Sequence, residues 1–136
     1  MIRTKSIRDP EKPSDGNRIL VMRYWPRTHS KKQLCLSEWY PDLGPSKQLL
    51  KDWHTRRISW DQYTEQYLAE MQDQQGTILD LAQAAKTGTI TLLCIEPETN
   101  PHCHRHLLKS LIEKALHLDS TGICPFCNPY FTRETK

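Results

Sequence analysis

Apolar and polar positions follow two periods along this chain, and each change of period marks an element. The stretch from Ile2 to Ile7 is short and half polar and is closed by Asp9-Pro10, which predicts an edge strand. Pro13-Ser14-Asp15-Gly16 predicts a turn. Arg18 to Trp25 is apolar on both faces until Pro26 stops it, the pattern of a strand covered by helices on both sides. Residues 27–45 mix Pro41, Gly44 and Pro45 with Trp39, Tyr40 and Leu43, and predict a long packed loop holding a short turn of helix.

Helical spacing takes over from Ser46, with a short helix predicted to Trp53. Ser59 with Gln62 forms a capping box ahead of the stripe Trp60, Tyr63, Tyr67, Leu68 and Met71. Thr77 with Asp80 repeats that start signal, and Ile78, Leu81, Ala82 and Ala85 continue to a stop at Gly88. Thr89 to Ile95 is β-branched and apolar on both faces, which predicts the central strand. Asn100 as cap and Pro101 in the first helical position predict a helix to Leu118, burying Leu107, Leu108, Leu111, Ile112, Ala115 and Leu116.

Strands alternating with helices predict an α/β fold: a single small domain, with a mostly parallel central sheet flanked by helices, over residues 1–118. An irregular C-terminal tail, 119–136, follows. A chain of 136 residues supports one core, and four Trp and five Tyr add bulk to a modest aliphatic count. The net charge of +3 is too slight for a dedicated nucleic-acid binder. Arg23 and Arg27 flank Tyr24-Trp25, a grouping that reads either as a base-and-phosphate contact or as strand core with surface charge. No apolar run is long enough to span a bilayer, and Met1 to Lys5 lack the hydrophobic segment of a secretory signal, so the expected location is cytoplasmic. Five cysteines then argue for free thiols, a metal or a reactive site over a disulfide framework.

Chemistry concentrates where the central strand hands over to the last helix, in Cys94-Ile95-Glu96 and Cys103-His104-Arg105. Ligands of open α/β sheets bind beyond the carboxyl ends of strands, where a helix start offers free N–H groups, so the expected guest is a small anionic molecule or a nucleotide. A cysteine in the first helical turn has its thiolate favoured, which makes Cys103 the candidate nucleophile. His104 and Glu96 would then move protons, while Arg23, Arg27 and Arg105, with Trp25 and Cys94 beside them, would hold the ligand. Other readings stay open. Cys94 shares a strand face with Ile90 and Leu92, Cys103 shares a helix face with Leu107 and Leu111, and Arg105 could pair with Glu98 or Glu113. The alternative functions are a non-enzymatic module binding nucleic acid or a protein through Tyr24 and Trp25, or a zinc-stabilised structural domain.

The tail carries Cys124-Pro125-Phe126-Cys127, which is similar to a glutaredoxin redox pair and to one knuckle of a zinc ribbon. Zinc is the cofactor it would hold, and a closed site needs further ligands such as His102, Cys103 or His104. An inert tail is the alternative. Self-association is not readable from the sequence.

In their order, Arg18-Ile19-Leu20-Val21, Arg23, Trp25-Pro26-Arg27, Glu38-Trp39, Tyr63 to Leu68, and Cys94-x-Glu96 followed by Cys103-His104-Arg105 resemble the YeaO-like proteins. This bacterial and archaeal family is catalogued as a domain of unknown function, number 488. The resemblance covers about residues 1 to 118. It implies a compact α/β sandwich with its site at the two cysteine motifs, and it names no reaction.

Overall fold

The computed structural model describes residues 1–97 and 99–120. Four strands, β1 (Ile2–Ser6), β2 (Asn17–Leu20), β3 (Glu38–Trp39) and β4 (Ile90–Cys94), form one sheet in the order β1-β4-β2-β3. Every pairing is parallel. β4 is central, as its two apolar faces require, and all five of its residues are buried. β1 is the predicted edge.

Alternation along the strands sorts the core into two layers. Ile90 and Leu92 of β4 and Ile19 of β2 face a large cluster made with α3 (Trp60–Glu70), α4 (Gln75–Thr87) and α5 (His104–Ser120). Leu93 and Leu20 face the other way, against Ile7 and Leu34 of the short α1 (Lys31–Leu34). A fifth helix, α2 (Lys47–His54), is capped by Ser46, whose hydroxyl accepts from the Leu49 N–H. The Ser59–Gln62 capping box forms as predicted.

Several boundaries differ from the sequence reading. β2 ends at Leu20 rather than Trp25. Beyond it the Met22 carbonyl accepts from the Trp39 indole at 2.8 Å, and Gly44 lies so close that a Cβ there would stand 2.5 Å from the Arg23 nitrogen. β3 was hidden because its two residues are both exposed and show no alternation. The Thr77–Asp80 start signal is overridden: a 3-10 turn, Met71–Gln74, carries the chain from α3 straight into α4 at Gln75, leaving Thr77 inside the helix. α5 begins at His104, not Pro101, because the Asn100 side chain accepts from the His102 N–H at 3.0 Å and closes a local turn instead of capping a helix. The helix then runs past Leu118 to Ser120. Among the described residues no helix is long and apolar enough to cross a membrane.

Candidate functional site

The parallel topology brings the end of β4 against the start of α5. Cys94 is the last residue of the strand, and Cys103 directly precedes the helix, its carbonyl accepting from the His106 N–H at 3.1 Å. The loop between them is held from inside. Asn100 donates to Glu96 at 3.1 Å, and His106 bonds the Asn100 carbonyl. Arg105, fully buried, donates to the Lys5 carbonyl at 2.6 Å and to the Pro97 carbonyl at 2.7 Å, so that one guanidinium ties the edge strand, the loop and the helix together.

Within this frame Cys94, Cys103 and His104 place their donor atoms within 4.8 Å of one another, all buried. The three residues form a set that could hold a metal ion. Neither cysteine is in a disulfide, nor is the exposed Cys35. The Cys103 thiol hydrogen-bonds to the Cys94 sulfur; this, with the Glu96 backbone N–H and the Arg105 charge, outweighs burial and lowers Cys94 to about 7. The same bond, together with burial, raises Cys103. The N–H of Arg105, the donor a helix start would offer an anion, is directed at the Cys103 sulfur. Burial lowers His104 to about 4, so its imidazole is neutral at physiological pH. A carbonyl only accepts, so the 2.7 Å bond from Nε2 to Val21 fixes the proton on Nε2 and leaves Nδ1 a bare lone pair, 4.0 Å from the Cys103 sulfur.

These three side chains line a cavity of about 200 Å³, together with Glu96 from the loop and Arg23. Its far wall is aromatic: Trp53 and Tyr63 line it directly, and Trp60 stacks on Tyr63 at 4.9 Å and on His102 at 4.7 Å. Burial and the nearby Cys103 keep the Tyr63 hydroxyl protonated far above its ordinary range. A second hollow of about 500 Å³ shares Trp53, His54 and His102 with the first and adds Arg56 and Ile58.

Of the residues singled out in the sequence, Cys94, Cys103, His104, Glu96 and Arg23 meet at this cavity. Arg23 is partly committed, donating to Asp42, Gly44 and Pro45. Arg105 is not in the lining; its guanidinium donates to the Lys5 and Pro97 carbonyls, and Glu98, one partner weighed for it in the sequence, lies outside the described residues. Trp25 turns away from the cavity to pack edge-on against Trp39 at 5.2 Å and to donate to the His29 carbonyl, and Arg27 is exposed on the loop beyond it. Cys103 precedes the helix rather than occupying its first turn. Cys124 and Cys127 lie outside the described residues. The sequence reading missed Trp53, Tyr63, His54 and Arg56, because helical spacing marks the first two as core and nothing local marks the others; His102, considered there only as a ligand for the tail, lines this cavity instead.

A family model described as the active DUF488-N3 subclade matches residues 2–116 of this chain. The uncharacterized protein YeaO of Escherichia coli K12 is 41% identical over 92 residues, which is 68% of this chain and 80% of that protein. The uncharacterized proteins Mb3100c of Mycobacterium bovis and Rv3073c of Mycobacterium tuberculosis are each 31% identical over 72 residues, 53% of this chain and 61% of those proteins. No solved structure matches.

Proposed function

The chain belongs to the YeaO-like DUF488 family, and we propose from its geometry that the domain binds a small planar molecule carrying an anionic group, such as a nucleotide, and presents it to the sulfur and imidazole groups beneath. One observation carries this reading: a cavity lined by Cys94, Cys103 and His104 together with Trp53 and Tyr63 adjoins a second hollow that shares Trp53, His54 and His102 with it and adds Arg56. Sites for small molecules combine apolar and aromatic walls with a few converging polar groups. The cavity's about 200 Å³ suits one ring-sized group against Trp53 and Tyr63. His54, His102 and Arg56 around the adjoining hollow suit the charged end. Arg56 has no acidic partner among the described residues. The free thiols fit a reducing compartment such as the cytoplasm.

Trp53 and Trp60 make the test direct, since a ring stacked on that wall quenches their fluorescence. Adenosine 5′-monophosphate is expected to quench, adenosine and inorganic phosphate to do so more weakly, and Arg56→Gln to weaken the monophosphate about tenfold, as loss of one ionic hydrogen bond implies. Absence of quenching by millimolar monophosphate would overturn the reading. Tighter binding of an oligonucleotide with a steep salt dependence would replace it with the nucleic-acid module.

A further inference from the structure

The floor of the cavity gathers three soft donors that the small-molecule reading alone does not explain. We propose that Cys94, Cys103 and His104 form a Cys2His centre for a zinc-class ion, with the fourth coordination position open to the cavity. This assignment deepens the function proposed above and rests on it only for what would occupy that open position.

The donor set comes first. Two thiolates and an imidazole select zinc over hard cations such as magnesium or calcium, and three protein ligands with one position left open is the arrangement of catalytic rather than structural zinc. The spacing agrees. Zinc bonds of about 2.3 Å to sulfur and about 2.0 Å to nitrogen, set tetrahedrally, put neighbouring ligand atoms roughly 3.5 to 3.8 Å apart. Cys103 Sγ and His104 Nδ1 stand 4.0 Å apart, and all three donors lie within 4.8 Å of one another, so closure on an ion needs movements of an ångström or less.

The second observation is the His104 tautomer. A zinc-binding imidazole nearly always donates its other ring N–H to a carbonyl or carboxylate, which aims the ligating nitrogen and fixes its lone pair. His104 does this with Val21 at 2.7 Å, leaving Nδ1 bare and directed toward the sulfurs. The sulfurs are supported too: backbone N–H groups of Glu96 and Arg105 are directed at Cys94 and Cys103 respectively. Cys94 sits on the central strand and the other two ligands at a helix start clamped by Arg105, so the donors are held on rigid elements before any ion arrives.

The test uses the full reduced chain. Purified protein loaded with zinc and desalted is expected to keep one equivalent, and cobalt in its place to give sulfur-to-cobalt charge-transfer absorption. Cys94→Ser, Cys103→Ser and His104→Gln should each weaken zinc at least tenfold, while Cys35→Ser and the double variant Cys124→Ser, Cys127→Ser leave it unchanged. Should a ligand variant fail to fold, zinc protection of Cys94 and Cys103 from iodoacetamide in the wild-type chain, read by peptide mass mapping, supplies the same answer. Zinc lost with the tail pair but kept by the three floor variants overturns the assignment, as does a reduced wild-type chain that binds neither metal. Zinc binding without nucleotide quenching leaves the metal centre standing and removes only the ligand reading; quenching without zinc does the reverse.

Discussion

His104 at the start of α5 donates to the carbonyl of Val21, just past the end of β2, across 2.7 Å of protein interior. This bond joins the site to the neighbouring strand, since Val21 itself remains paired through its own N–H to the Leu93 carbonyl of β4. The ring of Tyr67 packs against the imidazole, tilted, at 5.7 Å.

His104→Phe keeps an aromatic ring in this place but strands the Val21 carbonyl. A buried acceptor left without its donor costs about 1–3 kcal/mol, so the variant should unfold at correspondingly lower urea. The comparison belongs in a chelating buffer, where a bound ion adds nothing to the stability of either protein. Equal midpoints would mean that the carbonyl finds another donor.

Arg105 gives a larger effect for a different reason. Its bonds to Lys5 and Pro97 reach back 100 and 8 residues along the chain, so the side chain holds the edge strand and the site loop in register with α5. Arg105→Lys retains the charge but cannot reach both carbonyls in fixed geometry, and a loss of about 3 kcal/mol is expected from two charge-assisted bonds that do not add fully. Hydrogen exchange should then speed up across residues 95–103 before it does in β4. Unchanged stability with weakened phosphate binding would reverse the assignment and restore Arg105 as a ligand-binding residue.

How much of this was legible in the sequence depends on how far each decision reaches. Ser46, Ser59 and Gln62 act within one helical turn, and their caps could be read directly. The burial of β4 and the face that Cys94 shares with Leu92 follow from alternation within one strand. Arg105 could not be read because its partner carbonyl at Lys5 is brought in by tertiary pairing of β1 with β4. Asn100 and Pro101 had the composition of a helix start, yet Asn100 spends its side chain on the loop, moving the helix start by three residues and Cys103 out of the first turn. Trp53 and Tyr63 carry core spacing in full; that one edge of each meets a cavity is decided by what does not pack there.

Asp15 carries the acid sensitivity of the fold. Its buried carboxylate meets Arg18 at 2.6 Å and Lys5 at 3.0 Å. Burial alone would raise its pKa, but the hydrogen bonds from Lys5, the Lys12 backbone and Arg18 outweigh it and hold the group below its ordinary 3.8. A depressed folded-state pKa contributes stability that is fully present above the ordinary carboxylate range and is lost as pH falls through the lowered value. Asp15→Asn leaves both cations unpaired and should cost about 3 kcal/mol near neutral pH. In urea melts the gap between wild type and variant should close as pH falls through the lowered value, where the wild-type carboxylate is protonated as well. A gap constant across that range would place the acid sensitivity elsewhere.

Arg56 sets stability against binding at one position. It follows the end of α2 with φ at +60°, the left-handed conformation that helix ends usually give to glycine. For a residue with a Cβ that conformation costs about 1 kcal/mol, and only part of this is recovered through the smaller unfolded-state entropy of a non-glycine residue. Arg56→Gly should therefore stabilise the protein by about 0.5 kcal/mol in urea melts, because relief of the backbone outweighs the added flexibility of the unfolded chain. If the rim of the second hollow receives an anion as proposed, the same substitution should weaken adenosine 5′-monophosphate about tenfold in the fluorescence titration. A gain in stability with unchanged affinity would show that Arg56 plays no part in binding, and a loss of stability would show that its side chain supports the fold by contacts stronger than the strain it carries.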